Sequence, residues 1–252
     1  MRVLVVQNFD GTLLGQVGVA LEEVGAEIDV RTAHRGGLLP QTAHEHDALV
    51  VLGGGQNALD DANYPYIPAL LELMRGYVEA DKAVLGICLG SQLLARAYGG
   101  KNQIGGAEEF GWCRVAPTSE AAGDPVLGGV PEEFPIFQWH DDTFSLPDGA
   151  VRLAGSAVAD NQAFRVGRAG YGIQFHFEAD RTLVRHWNET FAQMIANRHP
   201  EWIAAFEDEA TRHGPVADAI GLALARAWVA TIHPARANAA APVSKLAVSA
   251  GL

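Results

Sequence analysis

The chain has 252 residues, 48% of them hydrophobic, enough for one large α/β domain or a domain with an extension. Its formal net charge is -12, with no concentrated Lys/Arg patch, so nucleic acid is not an expected partner. Two cysteines, Cys88 and Cys113, imply no disulfide framework and fit a reducing, cytoplasmic setting; no apolar run approaches the roughly 20 residues of a membrane span, and the apolar start is too short for a signal-peptide core.

In chain order, Val3 to Gln7 reads as a short buried strand and Leu14 to Val24 as a helix ending at Gly25. Glu27 to Arg31 and Ala48 to Leu52 read as strands, the second running into Gly53-Gly54-Gly55. Pro65 and Pro68 open a helix over Ile67 to Val78. Lys82 to Ile87 is a fourth strand, followed by a helix from about Ser91 to Tyr98 that closes at Gly99-Gly100. Strands alternating with helices at this spacing predict parallel βαβ units and a sheet covered on both faces.

The second half changes character. Phe110 to Ala116, Ile136 to His140, Val151 to Ser156, Ala163 to Val166 and Tyr171 to Phe177 read as strands on short loops, expected to be antiparallel. Thr182 to Ala196 reads as one helix. Beyond His199-Pro200 the composition shifts, with Ala-rich helices over Glu201 to Arg212 and Pro215 to Ile232, and a frayed tail expected from Pro234 to Leu252.

Gly86-Ile87-Cys88-Leu89-Gly90 has the spacing of a nucleophile elbow with cysteine at its centre. A sharp strand-to-helix turn needs small residues two positions to either side, where strand and helix cross. The helix then points its N-terminal dipole and free N–H groups at the sulfur, which favours thiolate over thiol. The Leu89 N–H is placed to bind an oxyanion. A free cysteine at a strand end is ordinarily a small buried hydrophobe; its position between a buried strand and a helix favours the nucleophile.

Along Tyr171-Gly172-Ile173-Gln174-Phe175-His176-Phe177-Glu178, the period of two puts Gln174, His176 and Glu178 on one face. Glu178 can then hold the His176 imidazole in one tautomer, giving Cys88, His176 and Glu178 the roles of nucleophile, base and orienter. Gly53-Gly54-Gly55 is a permissive turn on the ordinary reading. If its strand neighbours that of Cys88, the Gly54 N–H can face that of Leu89 across one carbonyl oxygen. No Gly-Lys-Ser/Thr follows, so it is not a nucleoside-triphosphate loop.

With these pieces in place, residues 1 to 196 resemble the triad-type, class I glutamine amidotransferase family, and especially its stand-alone members similar to GMP synthase. GICLGSQ matches the family elbow, His176 and Glu178 its catalytic pair, and VLGGGQNALDDANYP its oxyanion loop. Phe177 stands where the family has proline, and Trp139-His140-Asp141-Asp142 where many GMP-synthase domains read Ser-His-Gly-Asp. The resemblance implies a flavodoxin-like three-layer α/β sandwich: a central, mostly parallel sheet with additional antiparallel strands, plus a C-terminal helical extension. An amidotransferase domain over 1–198 and an extension over 199–252 are expected. It also implies Gly54 and Leu89 as the oxyanion hole, and Gly55, Gln92, His140 and Asp142 as substrate-binding residues.

The implied activity is hydrolysis of L-glutamine through a γ-glutamyl thioester, with no cofactor and no metal, ammonia passing to a separate synthetase subunit. A γ-glutamyl peptide or amide hydrolase and a non-catalytic regulatory module stay open as alternatives. His44-Glu45-His46 has no third ligand at a recognisable spacing and reads as a solvated loop. Cys113 reads as structural, the five tryptophans as core packing, and the oligomeric state is not legible.

Overall fold

A computed structural model describes residues 1–233; the tail expected from Pro234 lies outside the described residues. The elements are β1 (Arg2–Gln7), α1 (Gly15–Glu23), β2 (Glu27–Thr32), β3 (Ala48–Val51), α2 (Ile67–Glu79), β4 (Ala83–Ile87), α3 (Leu89–Ala97) and β5 (Asn102–Gln103). There follow β6 (Glu109–Pro117), β7 (Phe134–His140), β8 (Thr143–Phe144), β9 (Val151–Gly155), β10 (Ala163–Val166), β11 (Gly170–Ile173), α4 (Arg181–Thr190), α5 (Ala192–Arg198) and α6 (Trp202–Ala230).

One nine-stranded sheet runs β2-β1-β3-β4-β11-β10-β9-β6-β7. From β2 to β11 the neighbours are parallel, and from β11 to β7 antiparallel. The apolar strands of the parallel half bury both faces, as two-sided coverage requires. Val3, Val5, Val50, Leu85 and Ile87 pack towards α1, α4 and α6. Their neighbours Leu4, Val6, Leu49, Val51 and Val84 pack towards α2 and α3. This is the three-layer, flavodoxin-like α/β sandwich, with a helical C-terminal segment. Among the described residues no helix is long and apolar enough to cross a membrane.

Three expectations are corrected. The strand expected over Tyr171 to Phe177 stops at Ile173, and it is parallel to β4 while antiparallel to β10. Its last β4 partner is Ile87, beyond which β4 turns into the elbow and leaves no ladder partner on that side. The helix expected over Thr182 to Ala196 is two helices, broken at Phe191 (φ -112°, ψ 23°). The two helices expected on either side of Pro215 are one, α6. A proline inside a helix costs ~3 kcal/mol. Here packing on both sides of it outweighs that: Asp218 accepts from the Arg181 side chain at 2.6 Å, and Ala210, Ala217, Leu224 and Trp228 are buried.

The chain leaves β1 in opposite directions to reach β2 and β3. Such a switch point opens a crevice beyond the carboxyl ends of the parallel strands. Phe9 follows β1 there, Gly53 to Gly55 follow β3, and Cys88 follows β4.

Candidate active site

Cys88 sits between β4 and α3 at φ 51°, ψ -108°, a positive-φ conformation that side chains rarely adopt. Its own N–H donates to the Ile173 carbonyl at 2.8 Å, and its carbonyl accepts from the Ser91 hydroxyl at 2.7 Å. The flanking glycines are needed for close approach. A Cβ on Gly86 would stand 2.3 Å from the Gly90 carbonyl oxygen, and one on Gly90 2.1 Å from that of Val51. The Leu89 N–H belongs to the first turn of α3, where N–H groups have no intrahelical acceptor.

His176 and Glu178 lie beyond the end of β11, not on its face as expected, but the alternation continues. Phe175 and Phe177 enter the core while Gln174, His176 and Glu178 are buried on the other side. His176 Nδ1 bonds Glu178 Oε1 at 2.6 Å, which leaves Nε2 for the cavity. Phe177, at the family's proline position, is fully buried and does not displace the imidazole. The turn is braced from far away. Gln16 donates from its backbone N–H to the Glu178 carbonyl at 2.8 Å, and from its side chain to the Phe177 carbonyl at 3.0 Å. Gly221 of α6 packs so tightly that a Cβ there would stand 2.3 Å from that Phe177 oxygen.

Cys88 and His176 meet at Gly53. A Cβ placed on Gly53 would lie 3.4 Å from His176 Cε1 and 3.5 Å from Cys88 Cβ. Burial disfavours the imidazolium. The charge of Glu178 and the hydrogen bond and charge of Cys88 outweigh it, so His176 holds its proton up to about 10 against an ordinary 6.5. A proton held more tightly in the folded chain stabilises the fold. That contribution is full below 6.5 and lost as the pH rises through about 10. Glu178→Gln removes the charge that opposes burial. The His176 ring titration, followed by NMR, is expected to move to lower pH; an unchanged or higher midpoint would contradict this electrostatic account. Burial, then the charge of Glu109, push the Cys113 thiol to about 11, so it stays neutral.

β3 does neighbour β4, and Gly54 lies against Leu89, whose Cδ2 would be 2.9 Å from a Gly54 Cβ. The loop is held by Asn8, whose side chain donates to the Leu52 carbonyl at 2.7 Å, and by Gln56, which donates to the Asn8 carbonyl at 2.9 Å. Cys88, His176, Gly54 and Gly55 line one cavity of about 100 Å³.

Gln92, His140 and Asp142 do not line that cavity. Gln92 donates to Gln174 Oε1 at 3.1 Å, behind the turn that carries His176. Alternation along β7 turns Trp139 to the cavity and His140 away from it, where His140 bonds the Asp142 carbonyl at 3.0 Å and the buried Glu109 at 3.2 Å. The Asp142 carboxylate accepts from the Gly105 N–H at 2.8 Å. The cavity wall was not legible in the sequence. Phe9, Trp139, Trp187, Phe191 and Met194 form it, so two tryptophans expected only to pack the core face the site. The Cys88 thiol also lies 3.7 Å from the Trp139 carbonyl oxygen.

The sequence model of the class-I glutamine amidotransferases matches residues 5–192, running from within β1 through the elbow and the His176–Glu178 turn. The chain belongs to that family. This places it among enzymes of the glutamine amidotransferase class. A glutamine-hydrolysing GMP synthase subunit from Natronomonas pharaonis is 37% identical over 183 residues, covering 72% of this chain and 90% of that one. Its counterpart from Haloarcula marismortui is 32% identical, covering 65% of this chain and 78% of its own. Among solved structures, an amidotransferase from Thermotoga maritima superposes with TM-score 0.81 at 27% identity, covering 92% of this chain and 97% of the other. One from Methylobacillus flagellatus gives 0.80 at 27% identity, with 92% and 95% coverage.

Proposed function

We propose that this amidotransferase hydrolyses the side-chain amide of L-glutamine to glutamate and ammonia. Cys88 is the nucleophile, His176 the proton carrier and Glu178 the group that holds His176. The observation that carries this reading is the meeting of Cys88 and His176 at Gly53, with Nδ1 of the ring taken by Glu178.

The proton of the Cys88–His176 pair rests on His176 as sulfur attacks the amide carbon. The N–H groups of Leu89 and Gly54 receive the developing oxyanion, each worth roughly 10²–10³ in rate at comparable sites. His176 then protonates the departing nitrogen, which leaves as ammonia and a γ-glutamyl thioester on Cys88. Water, giving its proton to His176, cleaves the thioester, frees the sulfur and leaves the proton on His176 as at the start. Gly55 lines the same cavity and contacts the acyl chain.

Ammonia passes to a separate synthetase protein; the relatives named as individual GMP synthase subunits support such a partner. The division into an amidotransferase unit over 1–198 and an extension over 199–252 belongs to the same proposal. A γ-glutamyl peptide or amide hydrolase is the second reading, and the apolar cavity wall favours its amide form. The test is ammonia release from L-glutamine by the full chain, alone and with a candidate synthetase partner, together with mass spectrometry of an acid-quenched reaction. A glutamyl adduct on Cys88 is expected. Ammonia release that persists in Cys88→Ala would overturn the reading.

A further inference from the structure

Beside His176 the cavity wall is carbon. A departing nitrogen has to stand beside His176, which supplies its proton. The His176 ring makes an edge contact with Trp187, their centroids 5.1 Å apart. From Trp187 the wall continues to Trp139 at 5.9 Å, from Trp139 to Phe191 at 5.6 Å, and from Phe191 to Phe9 at 5.9 Å. Met194, on α5, adds the last apolar side chain. Among the described residues no Asp, Glu, Lys or Arg lines this cavity, and its one hydroxyl, that of Thr12, already donates to the Phe9 carbonyl at 2.8 Å.

Ammonia needs none of this surface. A nitrogen bearing a ring or a short alkyl chain would fill it, since rings are held well by edge and offset contacts with other rings. A nitrogen bearing a carboxylate or ammonium would bring a charge into a space with no partner for it, at the cost of its hydration. At about 100 Å³ the cavity is small against the ~300–1,000 Å³ of pockets for drug-sized ligands, so beside the acyl chain at Gly55 only a compact group fits on the nitrogen.

We propose that this site also hydrolyses γ-glutamyl amides whose nitrogen carries a compact apolar group, above all an aromatic ring, and discriminates against those carrying a charged one. The proposal rests on the thiol chemistry above. Sulfur forms a bond to the γ-carbonyl carbon, the carbon–nitrogen bond breaks, and the proton held by His176 goes to nitrogen, releasing a neutral primary amine. Water then cleaves the thioester to glutamate and returns its proton through His176. One water is consumed, and no redox partner is needed.

The experiment compares kcat/KM of the full chain for L-glutamine, γ-L-glutamylanilide and γ-L-glutamylglycine. The anilide is expected to exceed the glycine amide by at least ~tenfold, the usual span of discrimination by an apolar pocket. Phe191→Ala is expected to lower the anilide-to-glutamine ratio by roughly tenfold as the ring loses one wall. The milder Phe191→Leu should lower it less, and the ratio is indifferent to the fraction of folded protein. Glutamine turnover with the anilide no better than the glycine amide, or with an unchanged ratio in both variants, overturns this inference and leaves the thiol mechanism standing. No turnover of any of the three amides overturns the mechanism itself.

Discussion

Replacing Cys88 by alanine or by glycine is expected to lower amide hydrolysis by on the order of 10⁴-fold or more, the usual consequence of losing a covalent nucleophile. The two variants should also differ in stability. Inside a helix alanine is the more stable residue, but Cys88 is the N-cap of α3, where glycine is ordinarily the better of the two. At φ 51°, ψ -108° the Cβ is the source of strain, and both cysteine and alanine carry it. Such strained residues cost about 1–3 kcal/mol, and they persist where the surroundings over-determine them. The anchors here are the bond from the Cys88 N–H to Ile173 and the bonds that its carbonyl accepts. Glycine relieves the strain while removing the same thiol, so Cys88→Gly is expected to melt about 2–4 °C above Cys88→Ala, equivalent to about 1 kcal/mol for a chain of this size. Thermal melts of both variants decide it. If the alanine variant is the more stable, the elbow stores no backbone strain and the thiol is presented at no cost to the fold.

Gly90→Ala is expected to be among the most damaging single-methyl insertions in the chain. The added carbon would stand 2.1 Å from the Val51 carbonyl oxygen and 2.9 Å from its carbonyl carbon. Both are backbone atoms of β3, which is locked between β1 and β4. The strand cannot step aside, so α3 has to lift, carrying Cys88, Leu89 and the helix N-terminus away from His176 and Gly54. A loss of about 3 kcal/mol or more is expected, at the upper end for overpacking, with a fall of roughly 6–12 °C in melting temperature. Activity should fall further than stability accounts for. Gly76→Ala in α2 is the control: nothing lies within 4 Å of its Cβ, so helix propensity alone applies and stability should rise by up to about 1 kcal/mol. If Gly90→Ala behaves like Gly76→Ala, β3 and α3 pack more loosely than these distances require.

The elbow was legible because its cause is local. A strand, a turn and a helix within a dozen residues leave a pattern of apolar run, spaced glycines and apolar period, and the folded chain has β4, Cys88 and α3 in those places. The period of two through His176 and Glu178 likewise put both on one side, even though the strand itself ends at Ile173. Where that strand stops depends on where β4 stops, and a sequence pattern carries no information about the length of a distant partner. The expected place of His140 at the substrate was missed for a related reason. The residue type was suggestive, but only the register of β7 against β6 decides that Trp139 faces the site while His140 faces Glu109.

Residue order and spacing alone determined the α/β class, the cysteine at the strand-to-helix turn, and the imidazole and carboxylate that accompany each other downstream. The tertiary structure alone decided what surrounds them: an aromatic wall drawn from four segments, and a His176 turn braced by Gln16 from one end of the chain and Gly221 from the other. The division follows from range. Hydrogen-bond geometry and side-chain period act over a few residues and leave a trace in the sequence, whereas a contact such as Gln16 to Phe177 exists only once the whole sheet and its covering helices have closed around it.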